Sequence, residues 1–300
     1  MTIGAALRTN RMCHALTGLS VDEFESLVED FSWNYHEYEV RRRPDRMRKL
    51  GGGRSSYLKN EREKLFYALW YLKTYPTFDL ASFYIGFHRT KACDWAHILF
   101  PVLEQTMKRK LVLPQRKITT PEEFERLFPE VREVFADGIE RSIQRNKIKK
   151  RQQKSYSGKK KMHTRKSVVI ADKRRRILVI TKQKSGRRHD KRLADKESLF
   201  ESLPTDIDLY VDTGFVGVVK VHQKTYIPKK KSRRRPLTSD EKEMNTLISS
   251  YRVLIEHVIG GIKRYRCMSE RLRNHTAFID DQFILLSAGL WNYHLRCATA

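Results

Sequence analysis

The stretch Ser249-Ser-Tyr-Arg-Val-Leu-Ile-Glu-His-Val-Ile-Gly-Gly-Ile-Lys-Arg264 organises the reading of the whole chain. At about 100° per residue, Leu247, Tyr251, Leu254, Ile255, Val258 and Ile262 fall on one side, which is the repeat of an amphipathic helix. Arg252, Glu256 and Lys263 share a stripe about 40° wide on the far side, so one carboxylate is bracketed along the helix by two cations. A solvated face with an i,i+4 ion pair explains the same spacing, although Arg ahead of Glu is the weaker order for such a pair. The helix alone does not decide between the two, and the rest of the chain has to.

Composition narrows the choice. The chain has 300 residues, of which 40% are apolar and 10% aromatic, enough for a proper core and unlike a disordered polyelectrolyte. Its 61 Lys and Arg against 35 Asp and Glu give a net charge of +26. Such an excess repels itself in a compact state unless a polyanion neutralises it, which makes nucleic acid the leading partner. No apolar run approaches bilayer length and no basic interfacial helix stands out. The N-terminus lacks the apolar core of a secretory signal. Cys13, Cys93, Cys267 and Cys297 are scattered without zinc spacing. They read as reduced thiols of a cytoplasmic, nucleoid-associated protein.

Along the chain, Ser20-Val-Asp-Glu23 has the form of a capping box ahead of a short amphipathic helix with Phe24, Leu27, Val28 and Phe31. A basic, glycine-containing linker follows over Arg41–Arg54, solvated or touching phosphate. Residues Asn60–Tyr75 read as a helix ended by Pro76. A second helix fits Asp79–Ile85, a turn falls at Gly86-Phe-His, and a third helix opens with Arg89-Thr-Lys91 and should kink or end at Pro101. Helix, glycine turn, then a helix opening with cations is the pattern of a helix-turn-helix reader, with Arg89 and Lys91 as candidate base contacts. A small acidic helix spans Pro121–Phe128. Strands are expected at Val131–Asp137, Ser167–Asp172, Ile177–Thr181, Ile207–Asp212 and Thr225–Pro228, with a helix near Asp190–Phe200. Between the first two strands lies Lys147–Lys166, in which ten of twenty residues are Lys or Arg and none is acidic. It reads as a charged loop that either is solvated or tracks a nucleic-acid backbone. Lys229–Pro236 is a second basic run, and Asp240–Lys263 is the organising helix. The sum is an α/β class with no internal repeat.

Two of these strands are expected to end in an acid, Asp137 before Gly138 and Asp212 before Thr213-Gly214. Each is an ordinary turn former by itself. Together with Glu256 on a helix able to cover strand ends, they make an oxygen-only set, which suits Mg2+ or Mn2+. Two such ions about 4 Å apart would clamp the attacking and leaving oxygens of a phosphodiester.

Asp137-Gly138, Asp212-Thr-Gly-Phe215 and the Arg252, Glu256, Lys263 stripe resemble the DDE signature of insertion-sequence transposases, DDE superfamily endonucleases of the group related to Harbinger elements. Tyr156-Ser-Gly-Lys-Lys-Lys-Met-His163, Ser185-Gly-Arg-Arg-His-Asp190, Glu256-His-Val-Ile-Gly-Gly-Ile-Lys263 and Ser269-Glu-Arg-Leu-Arg-Asn274 carry the same likeness. It runs from about Asn60 to the C-terminus.

The resemblance implies an RNase H-like mixed sheet flanked by helices, with Asp137 and Asp212 on adjacent strands and Glu256 facing them. It implies domains at 1–45 (helical segment and basic linker), 46–115 (helix-turn-helix) and 125–300 (catalytic). Asp137, Asp212 and Glu256 would hold two Mg2+ or Mn2+ ions, and Asp190 is a further motif acid, either a ligand or a partner of one. The expected activity is cleavage at transposon ends and transfer of the freed 3′-hydroxyl into target DNA, by a homodimer on double-stranded DNA. Arg252, Lys263 and Arg264 would contact phosphates, as would Lys159, Lys160, Lys161 and His163. Affinity for end DNA should then fall steeply between about 50 and 200 mM salt. The alternative is a catalytically silent, sequence-specific DNA-binding protein derived from a transposase. A basic RNA-associated protein is a third reading, weakened by the lack of an aromatic stacking motif.

Overall fold

The computed structural model describes residues 3–47, 56–231 and 236–299. The glycine-containing part of the expected linker, residues 48–55, and half of the second basic run, residues 232–235, lie outside them. In chain order the helices and strands are α1 Ile3–Ala6, α2 Asn10–Thr17, α3 Val21–Arg42, α4 Glu61–Thr74, α5 Phe78–Ile85, α6 Arg89–Arg109 and α7 Pro121–Leu127. Then come β1 Glu133–Ser142, α8 Lys149–Ser155, β2 Tyr156–Ser157, β3 Met162–Asp172, β4 Ile177–Ile180, β5 Lys184–Ser185, α9 Asp190–Lys196 and β6 Asp208–Val211. The chain closes with β7 Thr225–Tyr226, α10 Ser239–Lys263, α11 Arg266–Ser269 and α12 Ile279–Thr299. It is a mixed α/β protein with two compact units. One holds Met1–Leu113, Lys263–Glu270 and Gln282–Ala300; the other holds Pro114–Ile262 and Arg271–Asp281.

The first unit is helical. Its centre is α4, in which every residue from Lys64 to Leu72 is buried, the mark of a helix surrounded on all sides. Asn60 caps its N-terminus by accepting from Glu63 N. The Ser20–Glu23 capping box forms in both directions, but the helix it starts is long, 22 residues, and takes in Arg41 and Arg42 near its carbonyl end, where cations are favoured. The two short helices α1 and α2 had no sequence signal. Gly86 ends α5 with φ +88°, the left-handed geometry that glycine supplies without strain. Of the kink or end expected at Pro101, the end does not occur: α6 continues to Arg109 with the proline inside it. A missing helical hydrogen bond and ring clash cost about 3 kcal/mol. Burial of Leu99, Phe100, Val102 and Leu103 around the proline offsets that, at about 1.5–3 kcal/mol for each large side chain.

In the second unit, seven strands among the described residues form one mixed sheet. The path β2-β3-β1-β6-β7 is its spine, with β4 and β5 also pairing with β3. β1 and β3 run antiparallel from Val134↔Asp172 to Ser142↔Thr164. β6 lies parallel to β1 from Glu133↔Asp208 to Ala136↔Val211, and β7 lies parallel to β6. Side chains alternate along a strand, so each of these strands has two faces. Val134, Ala136, Leu209 and Val211 join Val168, Ile170 and Leu178 in a core closed by Phe124 of α7 and Leu193 of α9. The opposite face carries an aromatic ladder, Phe135, Tyr210 and Tyr226, with stacked rings 5.3 and 4.9 Å apart. Tyr251 of α10 lies on that ladder, 4.5 Å from the Tyr210 ring and 5.5 Å from Phe135.

Three further expectations are corrected. β1 does not end at Asp137-Gly138: it continues to Ser142 because β3 pairs with it throughout. Lys147–Lys166 is not a loop but contains α8, β2 and the first half of β3. On α10 it is Ile248 that is buried and Leu247 that is exposed, while Ile255, Val258 and Ile262 are buried as expected. None of the four cysteines forms a disulfide. Among the described residues no helix is long and apolar enough to cross a membrane.

Candidate active site

The β1/β6 register brings two of the acids together. Their last parallel pair is Ala136↔Val211, so Asp137 and Asp212 are the next residues on neighbouring strands. Both stand two residues after a ladder aromatic and, by alternation, share the α10 face with it. Asp137 lies mid-strand, opposite Val169 of β3, and its Oδ1 accepts from Gly138 N at 2.6 Å. Asp212 Oδ1 accepts from Thr213 N at 2.6 Å and caps the short 3-10 turn Thr213–Phe215. The turn role anticipated for both aspartates thus applies to Asp212 alone.

Burial pushes the Asp137 carboxyl above its ordinary value. The Gly138 amide opposes this, the negative charges of Asp212 and Asp190 add to it, and Lys159 counters it. Asp190, the first residue of α9, is wedged against the backbone that follows both acids. A Cβ built on Gly138 would lie 2.5 Å from Asp190 Oδ1, and one on Gly214 would lie 3.3 Å from its Oδ2. Lys166 Nζ is 3.1 Å from Asp190 Oδ1 in a largely buried ion pair, yet that oxygen receives no hydrogen bond.

Glu256 on α10 has 61% of its side chain exposed. Arg252 lies between the acids, with Nη1 3.6 Å from Asp212 and Nη2 3.8 Å from Glu256. The i,i+4 ion pair anticipated for a solvated face is therefore present and extends to a strand acid. A small depression between β1, β6 and α10 is lined by Asp137, Asp212, Arg252 and Ile255.

A cleft of about 1090 Å³ lies alongside Asp190 and Gly214. Arg145, Lys159, Lys166, Arg187 and Arg188 line it, with the imidazoles of His163 and His189. His163 Nδ1 and Ser155 Oγ are hydrogen-bonded at 3.0 Å, which fixes the ring. Lys160 and Lys161 are exposed in the turn between β2 and β3. The other anticipated contacts belong to the helical unit. Arg89 and Lys91 are exposed in the first turn of α6 and pair with Asp79 (3.3 Å) and Asp94 (3.2 Å). Lys263 is half-buried at the end of α10. Arg264 donates to the Gly18 carbonyl and lies 5.4 Å from the Tyr265 ring centre, so its guanidinium holds the helical unit together.

Among the described residues no three His, Cys, Asp or Glu side chains stand ready to hold one ion. The donor chemistry nonetheless fits a hard cation. The set is oxygen only, Asp137 and Asp212 line one depression, and Asp137 is raised partly by its anionic neighbours. Asp137 and Asp212, with Glu256 reached from α10, are the groups that could hold one.

Sequence reasoning missed the ladder, the glycine cradle around Asp190, and Lys166. A signal existed for the first: Phe135-Ala-Asp137 and Tyr210-Val-Asp212 repeat an aromatic two residues before an acid.

Comparison with known proteins places the chain in a family. The profile of the DDE superfamily endonuclease family matches residues 136–292, more than half of the chain and inclusive of Asp137, Asp212 and Glu256. The chain belongs to that family. It is 27% identical over 234 residues, 78% of its length and 80% of the relative's, to a protein of Microchaete diplosiphon described as a probable transposase for insertion sequence element IS702. No solved structure matches the chain.

Proposed function

We propose that the chain is the transposase of an insertion sequence, which cuts phosphodiester bonds at the element's ends and joins the freed 3′-hydroxyl to target DNA. One observation carries the reading: in a chain of this family, the β1/β6 register sets Asp137 and Asp212 side by side under a helix that presents Arg252 and Glu256. The strand order supports an RNase H-like sheet, since β4, β3 and β1 are successively antiparallel and β6 and β7 then run parallel to β1.

Asp137, Asp212 and Glu256 are the metal ligands in this reading, and the ions are two Mg2+ or Mn2+. When bound, such ions polarise the scissile phosphate and activate the attacking oxygen. Asp137 and Asp212 are oriented for that role by the amides of Gly138 and Thr213. Arg252 releases Asp212 and Glu256 and turns to a phosphate. Lys159, Lys160, Lys161 and His163, with Lys263 from the helical unit, contact backbone phosphates; these set register and carry no sequence information. End-sequence readout falls to a helix-turn-helix built from α5, the Gly86 turn and α6. The exposed ion pairs of Arg89 and Lys91 are weak enough for DNA to displace. Two ends must be held at once, which calls for a homodimer on DNA in the nucleoid.

The second reading, a site-specific DNA-binding protein that does not cut, draws on Arg252 standing between Asp212 and Glu256. A Mg2+-dependent nicking assay on end DNA separates the two. Wild type should nick, whereas Asp137→Asn and Glu256→Gln should bind the same DNA without nicking. Binding by all three with no nicking by any would leave the binding-only protein. In either case affinity should fall steeply from about 50 to 200 mM salt, and a flat response would remove DNA as the partner.

A further inference from the structure

The buried pair of Asp190 and Lys166 has no part in the reading above, yet it touches the segments that carry both aspartates. The Cβ direction of Gly138 is that of Ala136, into the α9 side of the sheet and away from Asp137. Asp190 thus approaches the strands from the face opposite to the acids. Its two oxygens occupy the space that side chains at Gly138 and Gly214 would need, at 2.5 and 3.3 Å from their ideal Cβ positions. Those glycines flank the amides that orient the acids, Gly138 N for Asp137 and Thr213 N for Asp212. Lys166 locks the wedge in place. Its Nζ lies 3.1 Å from Asp190 and donates to the Arg188 carbonyl at 3.2 Å, and 7% of its side chain is exposed.

We infer that Asp190, held by Lys166, is a positioning residue for Asp137 and Asp212: it sets the spacing of the two strand segments from behind and adds negative charge to the field that a divalent ion meets. This rests on the metal-dependent reading proposed above and extends it to a residue on the far face of the sheet. The glycine directly after Asp137 is explained by the same contact, because any side chain at Gly138 displaces the Asp190 carboxylate. Partners that orient metal ligands typically change metal affinity by about 10- to 100-fold when removed.

The test is Mn2+ binding to the full-length chain, measured by titration calorimetry at a temperature well below unfolding. Asp190→Ala removes the wedge but alone strands the Lys166 cation in a buried place, so it is combined with Lys166→Met, which leaves no unpaired charge. The double variant should fold, with a circular dichroism spectrum like that of wild type, and bind Mn2+ at least about tenfold more weakly. Gly138→Ala, which removes no charge, should weaken binding in the Asp190 background and add nothing once Asp190→Ala, which vacates the space at Gly138, and Lys166→Met are present. Wild-type affinity in the double variant, or an equal effect of Gly138→Ala in both backgrounds, overturns the inference. If the double variant does not fold, Gly138→Ala alone decides, and unchanged Mn2+ affinity there overturns it as well. Wild type that binds no Mn2+, or Asp137→Asn that binds it as wild type does, brings down the metal reading itself. These outcomes are distinct from a failure of the Asp190 step alone.

Discussion

Tyr251→Ala should loosen the active site without touching any acid. The Tyr251 ring stacks on Tyr210 at 4.5 Å and on Phe135 at 5.5 Å, and it precedes Arg252 directly on α10. Two aromatic pairs contribute about 0.5–1.5 kcal/mol each, or about 1–3 kcal/mol together. The ring is half-buried, so it removes about half of the 150 Å² that a buried tyrosine hides, worth about 2 kcal/mol at 25 cal/mol per Å². The expected loss is therefore about 3–5 kcal/mol in the strand-containing unit. Trp33, Trp70, Trp95 and Trp291 all lie in the helical unit. Urea unfolding followed by tryptophan emission should hence stay near wild type, while the far-UV circular dichroism transition moves to lower urea. Nicking should fall about a hundredfold, the scale of a 1 Å misplacement of a catalytic group. Tyr251→Phe keeps the rings and should restore both. A stability loss below about 1 kcal/mol, or normal nicking in a Tyr251→Ala protein shown to be destabilised, would refute the claim that the ladder seats α10 over the aspartates.

Two further outcomes follow from the same contacts. Asp137 has its carboxyl raised above the ordinary 3.8, chiefly by burial, so over the window from 3.8 to that raised value the folded state holds a proton that the unfolded state has lost. Stability therefore falls as pH rises through the window. Metal-free Asp137→Asn should melt higher than wild type at pH 7, with the gap closing below the ordinary value; scanning calorimetry at several pH values that finds Asp137→Asn melting lower at pH 7 reverses the sign and the argument. In the helical unit, Gly18 has φ +83°, and an added Cβ would meet the Tyr265 ring at 2.9 Å. Gly18→Ala should lose about 2–5 kcal/mol, combining left-handed strain with overpacking, and tryptophan emission in urea should report it.

Much of this architecture was written locally. The caps at Ser20, Asn60 and Gly86 and the 3.6-residue repeat on α10 depend on near neighbours, and each element they mark exists. What depended on distant partners was hidden. Asp137-Gly138 has the chemistry of a turn, and only pairing with β3, some thirty residues later, turns it into mid-strand. Lys166 reads as one more charge in a basic run, but its place opposite Glu140 in β3 turns it inward to Asp190. Pro101 breaks an isolated helix, and only the surrounding helical core tells against the break. On α10 the apolar stripe was placed one residue out of phase at its start, because Leu247 and Ile248 are both apolar and the sheet beneath decides which is covered.

The two aspartates were legible for a reason deeper than their turn-like neighbours. In β1 and β6 a two-residue alternation buries Val134 and Ala136, and Leu209 and Val211, in the core. The same alternation obliges Phe135 and Asp137, and Tyr210 and Asp212, to face the other way. A slip of either strand by one residue would exchange the faces, burying a carboxylate among aliphatic side chains and turning Ala136 or Val211 out of the core. An uncompensated buried charge is far more costly than any single apolar contact is favourable. The hydrophobic pattern of the sheet therefore does more than support the site from below: it excludes every register one residue away from the one in which the two acids meet. Glu256 has no such guarantee, since a helix can rotate or slide over a sheet, and this is why the aromatic contact of Tyr251, rather than the helix's own repeat, has to hold it in place.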